Sequence, residues 1–193
     1  MHAEFSTVER TVDLLTYLAE DVSLGFDRWD DRYVRGPSLY FLVLSGARSG
    51  SFVDGLGANR WPVGRARVLP EEFTSAVDVA SDIAFEHDGA VVVSADGTFQ
   101  EQMVRVRSMS DHAIPDADYP EWMSAKHLSA YEASTREAVL AAVTLSEEDG
   151  RVTVFRDGTF DNRKRAELGR PWRATGPDAE GTTPAAVGGG ADE

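Results

Sequence analysis

His87-Asp88-Gly89-Ala90-Val91-Val92-Val93 is the stretch on which the reading of this chain turns. It follows a helical pattern and runs straight into apolar residues, so it marks a junction from helix to strand. A carboxylate followed by glycine at the head of a strand lets a ligand approach the backbone closely. Upstream, Pro70 opens the helix. Proline suits a first turn, and Glu71 and Glu72 complement the positive end of the helix dipole. Phe73, Ala76, Val77, Ala80, Ile83 and Ala84 form its expected buried stripe. Downstream, Asp96-Gly97 signals a hairpin turn, and Thr98 to Arg107 returns as a strand with mixed faces.

Farther out, the same alternation continues. Residues Ser6 to Val22 carry Val8, Val12, Leu15 and Leu18 near the helical period, with Ser6 and Glu9 spaced as a capping box. Gly25 to Pro37 is a charged, aromatic connection, and Ser38 to Leu44 reads as a buried strand. Gly46 to Gly64 is glycine-rich and irregular by its sequence; within it, Asn59-Arg60-Trp61-Pro62 has no role that the sequence explains. Arg65 to Leu69 reads as a strand. Ser108 to Glu121 reads as a polar loop, Ser124 to Arg136 as a helix, and Val139 to Leu145 as an apolar strand. Glu148-Asp149-Gly150 and Asp157-Gly158 are turns around the strand Arg151 to Phe155. The expected fold class is α/β, a mixed parallel/antiparallel central sheet with helices on both faces. Residues 1–172 form one expected domain. Residues 173–193, acidic and rich in Gly and Ala, cannot bury enough apolar surface to offset ordering entropy and are expected to be a disordered tail.

With 193 residues the chain can build a real core. Its formal net charge of -14, from 33 acidic against 19 basic residues, repels nucleic-acid backbones, so no nucleic-acid partner is expected. Lysine occurs only at Lys126 and Lys164. High acid with low lysine fits a halophilic protein, an ordinary acidic cytosolic protein being the plainer reading. The absence of cysteine excludes disulfides and thiolate metal sites. No run reaches the roughly 18 apolar residues of a membrane span, and the N-terminus lacks a signal-peptide pattern. The expected location is cytoplasmic, without a membrane partner. His2 and His112 have no partner spacing and are expected to be exposed. The four tryptophans, Trp29, Trp61, Trp122 and Trp172, are expected to pack rather than to serve as stacking platforms.

Three pieces can carry chemistry. Asp88 can bind a divalent cation or accept a proton from a hydroxyl, and His87 beside it can be a metal ligand. Ser124-Ala125-Lys126-His127 opens a helix, where free amides and the dipole favour phosphate and Lys126 adds charge. Ser146-Glu147-Glu148 ends a strand with a hydroxyl and paired carboxylates. Each also has a plain structural reading: a turn before a strand, a capped helix with a solvated lysine, an acidic hairpin end. There is no phosphate-binding Gly-x-x-x-x-Gly-Lys loop and no Gly-x-Ser-x-Gly elbow.

In this order, these pieces resemble the diadenylate cyclase domain, the nucleotide-binding domain of DNA-integrity scanning proteins. The likeness runs over residues 80–158. Asp88-Gly89-Ala90 matches the family's Asp-Gly-Ala signature. Ser124 to Leu128 stands where the family has Gly-Thr-Arg-His-Arg: His127 matches, Lys126 replaces the first arginine, and Ser124, Ala125 and Leu128 replace glycine, threonine and the second arginine. Lysine keeps the charge but not the bidentate fork of arginine. The family's leucine-proline segment after the first hairpin is not found, and Met103 to Ser110 stands in its place.

The resemblance implies an activity that condenses two ATP into cyclic di-AMP and two pyrophosphates across a face-to-face homodimer. It implies Asp88, Lys126 and His127 as catalytic residues, and Asp88, Gly89, Ala90, Ser124, Ala125, Lys126, His127, Ser146 and Glu147 as the nucleotide site. His87 and Asp88 would hold a divalent metal, Mg2+ or Mn2+. Two alternatives stand beside this: a non-catalytic nucleotide-binding module that keeps the fold, and a structural or regulatory partner of a true cyclase.

Overall fold

The computed structural model describes residues 5–46, 52–62, 73–108 and 119–169. The expected strand over residues 65–69, the helix start at Pro70, Glu71 and Glu72, His2, His112, Trp172 and the 173–193 tail lie outside the described residues.

Helix α1 runs Phe5–Gly25. Its periodic apolar residues Val12, Leu15, Leu18, Ala19 and Val22 are all buried. The helix starts one residue before Ser6. Glu9 goes to Arg156, at 2.6 Å, rather than back to a cap. Strand β1 (Leu39–Leu44) is buried at every position, which is why its sequence is continuously apolar rather than alternating. The stretch expected to be irregular contains a strand, β2 (Val53–Arg60). Its three glycine and asparagine positions and the lack of any fully buried side chain give no period-two signal, and backbone pairing to a later strand makes it.

Helix α2 spans Phe73–Glu86 and buries Ala76, Val79, Ala80, Ile83 and Ala84, while Phe73 and Val77 pack at the margin of the core. Strands β3 (Val91–Ser94) and β4 (Gln102–Val106) follow. The Asp96-Gly97 turn is present, with Gly97 at φ 84° and its amide donating to the Ser94 carbonyl at 2.8 Å. The return strand is shorter than expected. It meets β3 only through bridges Ala90↔Val104 and Val93↔Phe99, and its continuous partner is β2, in a separate two-stranded sheet. Helix α3 (Ala125–Ser134) and strands β5 (Val139–Leu145), β6 (Val152–Arg156) and β7 (Thr159–Arg163) complete the order, followed by a 3-10 turn at Arg165–Glu167.

The main sheet has the order β3-β1-β5-β6-β7. Among the described residues only β1 and β3 run parallel, so a crossover must join them, and it contains β2 and α2. All other neighbours are antiparallel, which makes the sheet mixed. Alternation along β1 sends Phe41 and Val43 to one face and Tyr40, Leu42 and Leu44 to the other. The first face packs against α1 and α2, and the second against α3. The fold is therefore the expected α/β class, with helices on both faces. No helix among the described residues is long and apolar enough to cross a membrane.

Candidate functional site

Helix α3 starts from an extended Ser124, whose backbone at φ -77° and ψ 172° breaks the helix and exposes its first amides. The residue at the third helical position is His127, and it turns back on the cap: the Ser124 amide donates to His127 Nδ1 at 3.1 Å, and Ser124 Oγ lies 2.9 Å from the same nitrogen. His127 is 1% exposed. Burial, reinforced by Lys126 and Arg151 and opposed by Asp149, pushes its pKa down from 6.5 to about 4, so the ring is neutral at neutral pH.

The facing wall is the turn after β5. The Ser146 amide donates to the Arg151 carbonyl at 2.9 Å, and the Gly150 amide donates to the Ser146 carbonyl at 3.1 Å. The Ser146 hydroxyl accepts the Glu148 amide at 3.3 Å. Gly150 has φ 69°, and a side chain there would press on Ser23 and Trp29. Ser23 Oγ donates to the Gly150 carbonyl at 2.7 Å, and Trp29 Nε1 donates to the Ser23 carbonyl at 3.1 Å. The end of α1 thus fixes this acidic turn.

Between the two walls is a cleft of about 160 Å³ lined by Ser124, Ala125, Lys126, Ser146, Glu147 and Glu148. That is below the roughly 300–1,000 Å³ usual for a small-molecule site, so the cleft itself suits phosphate groups rather than a whole nucleotide. Lys126 is half-buried in it. Burial lowers its pKa, and the carboxylates of Glu147 and Asp88 act against that shift. Lys126 therefore lies in the field of both acidic pieces, one from each end of the motif series.

Asp88 itself is exposed, at the junction between α2 and β3. The His87 amide closes α2 on the Ile83 carbonyl at 3.1 Å. Gly89 has φ 111°, and a β-carbon there would meet Leu56 at 2.6 Å and the Val104 carbonyl oxygen at 3.1 Å. Only glycine fits this approach without strain. Ala90 is buried and exchanges backbone hydrogen bonds with Val104 at 2.7 and 2.8 Å. The Asn59 side-chain amide donates to the Asp88 carbonyl.

Of the residues singled out in the sequence, Ser124, Ala125, Lys126, Ser146 and Glu147 meet at one cleft, and Asp88 acts on it through Lys126. Gly89 and Ala90 shape the backbone beneath Asp88. His127 does not line the cleft; it lies behind the α3 wall. His87 Nε2 lies 4.0 Å from the Glu86 carboxylate. Among the described residues, no three His, Asp or Glu side chains gather as a metal-holding group. A Mg2+ site commonly uses one or two carboxylates, with water and substrate phosphates supplying the rest, and Asp88, exposed and acting on the charge of Lys126, is a donor of that type. Sequence reasoning missed Glu148 as a lining residue, although it adjoins Glu147, and it missed Asn59 as a support for Asp88.

No family model and no curated protein matches this chain. Solved structures do. A structure described as the hypothetical membrane spanning protein from Bacillus cereus aligns with a TM-score of 0.52 at 14% identity, covering 79% of this chain. The fold is shared. This chain spans 62% of that chain's length. A double-cysteine variant of DacA from Staphylococcus aureus aligns with a TM-score of 0.49 at 12% identity, over 82% of this chain and 89% of that one. That likeness is a distant structural resemblance.

Proposed function

We propose that this chain is a diadenylate cyclase. The observation that carries the reading is the position of Lys126, in a phosphate-sized cleft at a helix N-terminus and under the combined field of Glu147 and Asp88. Three motifs that resemble the cyclase family, far apart in sequence, thereby act on one place.

In this reading the α3 amides and Lys126 bind the triphosphate of one ATP in the cleft. The nucleoside extends beyond it, toward a second subunit facing the first. The 3'-hydroxyl oxygen of one ATP forms a bond to the α-phosphorus of the other, and the bond from that phosphorus to the bridging oxygen breaks, releasing pyrophosphate. Asp88 accepts the hydroxyl proton or holds a divalent cation, Mg2+ or Mn2+, which when bound neutralises phosphate charge. A symmetric second step closes the ring to cyclic di-AMP. Lys126 stabilises the charge that builds on the phosphate oxygens, the usual main source of rate in phosphoryl transfer. Because each subunit supplies one ATP, the homodimer is the active unit and a monomer is inactive.

A second reading, a module that binds nucleotide without turnover, is favoured by one observation. The Ser124 hydroxyl is turned onto His127, and Ala125 has no hydroxyl, so the wall offers fewer phosphate donors than the family pattern. Incubation with ATP and Mg2+ or Mn2+, at low and high salt, followed by mass spectrometry, separates the readings. Cyclic di-AMP supports the cyclase; ATP binding without product supports the module; neither overturns both.

A further inference from the structure

The two walls of the cleft are joined by side chains that do not line it. The Asp149 carboxylate accepts the Arg151 backbone amide at 3.2 Å and Arg151 Nε at 3.0 Å. Arg151 is buried, and its guanidinium carbon lies 4.4 Å above the Trp122 ring. Trp122 stands edge-on to His127, with ring centroids 5.2 Å apart at 80°. His127 then takes the Ser124 amide on Nδ1. That hydrogen bond sets the tautomer. Nδ1 is an acceptor, so Nε2 carries the proton, and Nε2 is buried without a partner. His127 thus brings neither charge nor a free acceptor to the cleft.

We infer that His127 is a positioning residue, the last link of a brace Asp149–Arg151–Trp122–His127–Ser124 that holds the acidic turn and the N-terminus of α3 at a fixed separation. The brace differs from a direct phosphate contact in one respect: residue 127 must offer an acceptor to the Ser124 amide and a side chain that packs on Trp122, and it need not touch the ligand. Glutamine supplies that acceptor at this position of a capping box, and leucine does not. The brace itself stands on geometry alone; its consequence for ligand affinity rests on the nucleotide reading.

The test compares the full chain with His127→Gln and His127→Leu, measuring hydrogen exchange of the Ser124 amide by NMR and ATP affinity by calorimetry. With one hydrogen bond at stake, the Ser124 amide should exchange about tenfold faster in His127→Leu and stay protected in His127→Gln. ATP affinity should fall about tenfold in the leucine variant and stay within about threefold of the parent in the glutamine variant. Trp122→Leu, which cuts the middle of the brace and leaves Ser124 and His127 intact, should also loosen the Ser124 amide. The brace is overturned if the amide stays protected in His127→Leu. It is equally overturned if His127→Gln keeps the amide protected yet binds ATP as weakly as His127→Leu, since the imidazole then touches the ligand. If the parent chain binds no ATP, the nucleotide reading fails, and the exchange measurement alone still decides the brace.

Discussion

The Gly36 amide donates to the Glu147 carbonyl at 3.0 Å, fastening the carboxylate wall of the cleft to the connection after α1. Gly36 also packs so close to the Trp29 ring that a β-carbon there would collide with it and come within 2.9 Å of the Glu147 carbonyl oxygen. Gly36→Ala should therefore destabilise the fold by about 1–3 kcal/mol through overpacking. It should also weaken ATP binding, because the displaced backbone carries Glu147. Thermal unfolding and calorimetry on the same sample check both effects.

Charge at the cleft depends on Lys126. Lys126→Met should reduce ATP affinity about ten- to a hundredfold, the cost of a lost charged hydrogen bond in a partly buried site. Lys126→Arg should retain binding, since it restores the residue type of the family pattern. Asp88→Asn should behave differently: ATP still binds, and cyclic di-AMP no longer forms. Parallel binding and product measurements distinguish the two roles.

Stability should depend on pH through His127. The unfolded chain protonates this residue near 6.5, and the folded chain only near 4. Between those values the unfolded state binds more protons, so stability is fully present above pH 6.5 and falls as pH drops toward 4. The loss is up to about 3 kcal/mol. Asp13 works the other way at the acid end, because burial and the nearby Glu9 raise its pKa. It is present in both proteins, so comparing the parent with His127→Gln isolates the histidine. Chemical denaturation at a series of pH values should show a shallower slope for the variant.

A reaction that needs two ATP-loaded subunits should depend on protein concentration. Cyclic di-AMP formed per subunit should rise with concentration until the dimer is saturated. A rate per subunit that stays constant across dilution would show that one chain suffices.

How far the sequence announced this arrangement depends on how each piece is held. Strands β1 and β5 are covered on both faces, so their continuous apolar runs were readable directly. Strand β2 was not: Gly55, Gly57 and Asn59 interrupt it, none of its side chains is fully buried, and its pairing to β4 is a backbone event. The three motif pieces singled out in the sequence lie at element boundaries, where their local patterns placed them. The supports were not. Asn59 reaches the Asp88 carbonyl across 29 residues, and Arg151 meets Trp122 only once the hairpin folds back onto the start of α3. Trp61, expected to pack, is fully buried and stacks on Phe99 at 4.2 Å, a partner the sequence did not name. Such contacts are set by tertiary packing, and no periodicity encodes them.

Helix α1 precedes in the chain several of the strands that cover it. Its apolar stripe packs against β5, Glu9 pairs with Arg156 and Glu20 with Arg163, partners 147 and 143 residues downstream. During synthesis that stripe lacks these partners until β5, β6 and β7 emerge, so contacts of this range delay full docking and lengthen the time in which a nascent chain can associate wrongly. Full docking of α1 accordingly waits for β6 and β7.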